Sequence, residues 1–154
     1  MTVRFITDKP KKKNISSQIL SSLPDWFGIP SATANYIEQS AEMPFIAAFD
    51  NDAPIAFLAI KETSPCSAEI YVMGVLPQYH RKGIGKALID FCVAYCKDKG
   101  YTLLHVKTLA PSHPDKNYEK TRRFYTAMGF LPLETMEELW GEDNPCLLMV
   151  KPLN

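Results

Sequence analysis

Apolar and polar positions change their period several times along the chain, and each change marks an element. Residues 3–7 (VRFIT) alternate apolar and polar, which predicts a short first strand. Residues 14–23 and 31–41 predict two short helices, the second capped by Ser31 after Pro30. The segment PDWFGIP between them is a turn that carries two large aromatics, Trp26 and Phe27. Residues 45–49 (FIAAF) and 55–61 (IAFLAIK) read as strands joined through the hairpin signal DNDAP. A third apolar run, residues 69–76 (EIYVMGVL), is ended by Pro77. Over residues 83–99 the period lengthens to that of a helix, with Ile84, Leu88, Ile89, Cys92, Val93 and Cys96 in one stripe and Gly100 closing it. Residues 101–109 (YTLLHVKTL) return to strand, and residues 118–128 form a helix stopped by Gly129. Residues 130–133 and 146–151 (CLLMVK) complete the sheet. The order β-α-α-β-β-β-α-β-α-β-β predicts one α/β domain over residues 1–154 with a mixed sheet.

Composition narrows the function classes. With 46% hydrophobic and 22% charged residues the chain is of ordinary globular make-up. Seventeen basic and 17 acidic residues cancel, which removes the bulk electrostatic case for a nucleic-acid partner. The local basic run at residues 9–13 (KPKKK) reads as a solvated turn. No apolar run approaches the ~18 residues of a membrane span, and the first residues lack a signal pattern, so a cytoplasmic protein without a membrane partner is expected. Cys66, Cys92, Cys96 and Cys146 form no CxxC pair and point to no metal; Cys92 and Cys96 share a helix face as small buried side chains.

The chemistry gathers in residues 76–88, LPQYHRKGIGKAL, between the third apolar run and the long helix. Gly83 and Gly85 allow a tight turn and the close approach of a ligand to the backbone. Free N–H groups at a helix N-terminus then point outward with the helix dipole behind them, and Arg81, Lys82 and Lys86 add full positive charge. This describes a pyrophosphate cradle. It is neither a Walker loop, since GxxxxGK[ST] is absent, nor a dinucleotide fingerprint, whose third glycine would fall at Leu88.

The stretch GVLPQYHRKGIGKALI resembles motif A of the GNAT superfamily of N-acetyltransferases, in which V-x-P-x-Y leads into [RQ]-x-x-G-x-[GA]. His80 stands where arginine or glutamine is usual. YEKTRRFYTAMGF resembles motif B, with Tyr125, Gly129 and Phe130 in register, Tyr118 at the usual asparagine and Thr121 at the usual alanine. The order of elements suits the same fold along nearly the whole chain.

The resemblance implies a mostly antiparallel mixed sheet flanked by helices, with a splayed strand pair holding the arm of acetyl-coenzyme A, and no metal. It implies transfer of an acetyl group from this co-substrate to a primary amine of a small molecule or protein, and it admits a homodimer. His80, Arg81, Lys82, Gly83, Ile84, Gly85 and Lys86 would hold the pyrophosphate. Met73, Gly74 and Val75 would flank the pantetheine arm, with a backbone N–H near Gly74 or Val75 on the thioester carbonyl, and Tyr118 would contribute from motif B. Gly74 suits a strand bulge there. Tyr125 is the expected general acid for the leaving thiolate. Glu69 is the expected base, a partly buried carboxylate whose pKa burial would raise; a water chain or His113 are alternatives. His105, inside a strand, reads as a satisfied structural residue.

Acceptor choice is expected from Trp26, Phe27, Tyr36, Trp140 and the acidic run Glu134, Glu137, Glu138, Glu142 and Asp143, which would attract a cationic amine. The competing reading from the sequence is a non-catalytic module of the same fold that binds an acyl-coenzyme A.

Overall fold

The computed structural model describes residues 1–154. Its elements follow the expected order: β1 (Thr2–Ile6), α1 (Lys9–Leu20), α2 (Pro30–Ser40), β2 (Phe45–Asp50), β3 (Ala53–Ser64), β4 (Ser67–Val75), α3 (Ile84–Asp98), β5 (Leu103–Leu109), α4 (Lys116–Ala127), β6 (Leu131–Met136) and β7 (Cys146–Pro152). One 3-10 turn, Pro77–Tyr79, precedes α3. The seven strands form one sheet in the order β1-β2-β3-β4-β5-β7-β6. Pairs β1–β2, β2–β3, β5–β7 and β6–β7 are antiparallel, whereas β4 and β5 run parallel. That parallel pairing covers only residues 67–69 against 103–105, although β4 continues to Val75. No helix is long and apolar enough to cross a membrane.

The chain packs as two compact units, Met1–Lys61 with Ile70–Tyr95, and Glu62–Glu69 with Cys96–Asn154. In the first, alternation along β2 sends Phe45, Ala47 and Phe49 to one face, where they meet Ile15, Ile19, Leu20 and Leu23 together with Phe57, Ala59 and Val72. Phe45 and Phe57 stack with ring centroids 5.2 Å apart. On β1, Phe5 meets Phe91 and Tyr95 of α3 at 5.2 and 5.3 Å. The helical stripe behaves as its period demands, with Ile84, Leu88, Ile89 and Cys92 buried.

Three local expectations are corrected. Helix α1 begins at Lys9 rather than at residue 14, because the Asp8 carboxylate accepts the Lys11 N–H at 2.9 Å and Pro10 occupies the first turn. The basic run is therefore a helix start, not a solvated turn. Lys12 is only 8% exposed, and its ammonium donates to the carbonyls of Met43 at 2.7 Å and Ala41 at 3.4 Å. It satisfies carbonyls where α2 ends, and burial, reinforced by the Lys9 charge and opposed by Glu42, lowers its pKa. Ser31 is not the cap of α2. Pro30 opens that helix behind Ile29, which makes no side-chain capping bond.

In the second unit β7 lies between β5 and the edge strand β6. Asp115 caps α4 by accepting the N–H groups of Asn117 and Tyr118 at 2.8 and 3.2 Å, so the helix starts at Lys116, slightly before the expected residue 118. It ends where Gly129 turns into the left-handed region at φ 92°. A Cβ there would stand 2.7 Å from Lys151 Nζ, which itself donates to the Met128 carbonyl.

Candidate active site

The glycine loop belongs to the first unit. Its strand-side anchor is Tyr79, whose hydroxyl donates to the Asp50 carboxylate at 2.6 Å. His80 is exposed, but its Nε2 lies 2.7 Å from the Val75 carbonyl, which can only accept, so the ring donates and ties the loop to the end of β4. The Trp26 ring packs edge-on against it at 5.8 Å. The basic side chains of Arg81, Lys82 and Lys86 are exposed.

Left-handed backbone falls at Arg81 (φ 62°) and Gly83 (φ 79°), and not at Gly85, which lies in the first turn of α3. A non-glycine residue held at such a φ is uncommon, and two so close fold the chain into a concave turn of N–H groups. A Cβ on Gly83 would find no atom within 4 Å, so this side of the loop is open. The first N–H groups of α3, on Ile84, Gly85 and Lys86, have no carbonyl within their own helix to receive them. The loop thus fits a diphosphate.

Gly74 is explained by packing. A Cβ there would come within 3.0 Å of Ile19 and 3.1 Å of Leu23, so this glycine lets α1 lie against β4. Its neighbours Met73 and Val75 are half-buried. Trp26, Phe27 and Tyr36, expected to shape acceptor choice, pack against the core of this unit, with Phe27 5.8 Å from Tyr36 and Tyr36 5.4 Å from Tyr71.

The second unit holds both expected catalytic side chains. Tyr125 lies on α4 with its ring tilted against Phe124 and edge-on to Phe130, both at 5.5 Å. Its position is fixed by the helix end, where its carbonyl accepts the Phe130 N–H at 3.0 Å. Burial, helped by Tyr118, raises the phenol pKa well above its usual value, so the hydroxyl keeps its proton.

Glu69 is buried and not solitary. Its Oε2 lies 3.1 Å from Lys107 Nζ, a partner the sequence reading did not single out. The register places Glu69 opposite His105, and Lys107 follows two residues on, which brings all three to one face of the sheet. His105 Nε2 bonds Thr63 Oγ1 at 2.9 Å, but its Nδ1 is buried without a partner, so this histidine is only half satisfied. Burial lowers its pKa, Glu69 acting against that and Lys107 with it. Cys146 is enclosed nearby, and burial pushes its thiol up to about 11, which leaves it a poor nucleophile at neutral pH.

His113 lies elsewhere. Its Nδ1 accepts the Asp115 N–H at 3.3 Å, and it lines a groove on the face of α4 that carries Glu119, Arg122 and Thr126. Tyr118 and Tyr125 do not line that groove, although Arg122 lies one helical turn from each. The acidic run is open to solvent, with Glu134, Glu137, Glu138, Glu142 and Asp143 all exposed.

Comparison with known proteins identifies the family and the fold. Residues 14–130 match the family model of the acetyltransferase (GNAT) family. The chain is 27% identical over 112 residues to the uncharacterized N-acetyltransferase YsnE of Bacillus subtilis (strain 168), covering 73% of this chain and 71% of that protein. Its fold is similar to the crystal structure of a GNAT-family protein from Desulfovibrio desulfuricans, with a TM-score of 0.85, 18% identity and 99% of each chain covered. It is also similar to an aminoglycoside 6'-N-acetyltransferase complexed with coenzyme A, with a TM-score of 0.76, 17% identity and coverage of 100% and 98%.

Proposed function

The chain belongs to the acetyltransferase (GNAT) family, and from that premise we propose that it moves the acetyl group of acetyl-coenzyme A to a primary amine of a small molecule or a protein. The observation that carries this reading is the open, left-handed turn at Arg81 and Gly83 leading into the N-terminus of the 15-residue helix α3. Backbone N–H groups and the helix dipole there favour a diphosphate, and Lys82 and Lys86 add charge around it. His80 contributes by fixing the loop through Val75 rather than by touching the ligand. The pantetheine arm would lie beside Met73, Gly74 and Val75 of β4.

Acetyl-coenzyme A supplies a thioester carbon that can accept the amine nitrogen. In the proposed reaction a carbon–nitrogen bond forms and the carbon–sulfur bond breaks. Glu69 takes the amine proton, directly or through water, while a main-chain N–H near Gly74 or Val75 stabilises the carbonyl oxygen. Tyr125 gives its phenolic proton to the departing sulfur. Its raised pKa keeps the hydroxyl protonated and able to donate to the sulfur, while making the phenol a weaker acid than a free tyrosine. Tyr118, on the same helix face, completes the motif B contribution. The exposed acidic run before β7 favours a cationic acceptor.

The test is thiol release from acetyl-coenzyme A across a panel of polyamines, aminoglycosides and lysine peptides, with mass spectrometry of the acceptor. The account predicts an acceptor-dependent thiol burst and an added acetyl group. Tight coenzyme A binding with no release for any amine would favour the non-catalytic module instead.

A further inference from the structure

The second unit holds an open groove of about 740 Å³ beside α4, a volume in the range that small-molecule sites occupy. Of the residues considered for acetyl transfer only His113, the alternative base, lines it; Glu69, Tyr125 and the glycine loop do not. Its floor is apolar, built by Leu147 and Met149, which alternation on β7 sends to one face, together with Pro132 of β6. Its wall is the helix face on which Glu119, Arg122, Arg123 and Thr126 recur at helical spacing.

The charges on that wall are not all matched. Arg123 pairs with Glu119 at 2.8 Å, and Asp115 receives the two N–H groups of the helix cap. Arg122 alone faces no carboxylate. It is half-buried, and its Nη1 donates at 2.7 Å to the Leu109 carbonyl, which leaves the remaining guanidinium donors for another partner. His113 adds a donor at the same mouth, because its Nδ1 accepts the Asp115 N–H and the neutral ring then carries its proton on Nε2. A planar cation without an anion beside an apolar floor has the chemistry of a carboxylate site.

We propose that this groove binds a small organic carboxylate with an apolar body, its head on Arg122 and His113 and its body on Leu147, Met149 and Pro132. The groove's lining includes neither Glu69 nor Tyr125, and binding there does not require acetyl transfer.

The experiment titrates the full chain with 2-naphthoate, 2-naphthylmethylamine and 2-naphthylmethanol while following the methyl signals of Leu147 and Met149 by NMR. The proposal predicts saturable shifts with the carboxylate and at least tenfold weaker binding of the amine and the alcohol. Arg122→Gln should weaken naphthoate at least tenfold. Because that change also removes the bond to Leu109, Thr126→Phe serves as a second variant that keeps the arginine and fills the groove; it should abolish the shifts. Equal binding of the three probes, absence of saturation by naphthoate, or unchanged affinity in a folded Thr126→Phe protein would overturn the proposal.

Discussion

Lys107 Nζ lies 3.1 Å from Glu69 Oε2, and the two ends of this pair differ: the carboxylate side chain is 6% exposed and the lysine 32%. Removing the lysine strands a charge in a nearly closed site, whereas removing the glutamate leaves a cation that water can still reach. Lys107→Met should therefore destabilise the fold by roughly 1–3 kcal/mol, below the figure for a fully buried pair because the lysine is partly solvated. Glu69→Gln should cost less. Denaturant midpoints for the two variants check the order, and equal losses would show that the pair is not asymmetric in energy.

As the proposed base, Glu69 has a kinetic prediction of its own. Glu69→Gln should lower kcat/KM by about 10²–10⁴-fold at neutral pH. A full-strength variant would move the base to a water chain.

The glycine loop separates strain from contact. Gly83 holds φ 79° with open space where a Cβ would go, so Gly83→Val meets no clash but strains the backbone by about 1–2 kcal/mol and covers the concave side of the turn. The protein should remain folded and lose most of its affinity for coenzyme A. Gly85, without a positive φ, should lose affinity on change to valine with less effect on stability. Calorimetry together with thermal melts distinguishes these outcomes, and unchanged affinity in a folded Gly83→Val protein would dismiss the diphosphate role.

The Cys146 thiol gives a stability prediction with a definite sign. Its pKa rises from 9.0 to about 11 on burial, so above pH 9 the unfolded chain gives up this proton before the folded one does. The contribution is complete below pH 9 and is lost as pH rises towards 11. The stability advantage of the wild type over Cys146→Ala should shrink over that window by no more than roughly 2–3 kcal/mol. A pH-independent difference between the two proteins would contradict it.

Much of this was legible along the chain. The period change at residue 83, the stripe through Ile89 and Cys92, and the stop at Gly129 rest on local geometry, and they placed α3 and α4 closely. The start of α1 was not legible, because Lys9 to Lys13 looks like solvent-facing charge until Lys12 finds the carbonyls of Ala41 and Met43. Those partners lie far along the sequence, and no window around Lys12 contains them. Lys107 was missed for a similar reason. Its alternation with His105 gives its face, but only the parallel register of β4 with β5 brings it to Glu69. The tight turn expected of both loop glycines is made by Gly83 and Arg81, both at positive φ, since the helix already begins at Ile84 and takes in Gly85.

If the acidic run before β7 steers a cationic acceptor, its effect is long-range and screened. Neutralising Glu137, Glu138 and Glu142 together should raise the acceptor KM at low ionic strength and weaken its salt dependence, with kcat little changed. Identical kinetics at low salt would leave these residues as ordinary surface.

The most direct measurement is the single-turnover acetyl-transfer rate of Tyr125→Phe. The change removes one hydroxyl and keeps the ring that packs on Phe124 and Phe130, so the fold should hold. Single turnover isolates chemistry from product release. The account predicts a fall of roughly 10²-fold or more, the low end of general-acid effects because coenzyme A is a fair leaving group, with acetyl-coenzyme A affinity unchanged. A near wild-type rate in the phenylalanine variant would contradict it and remove Tyr125 from the reaction.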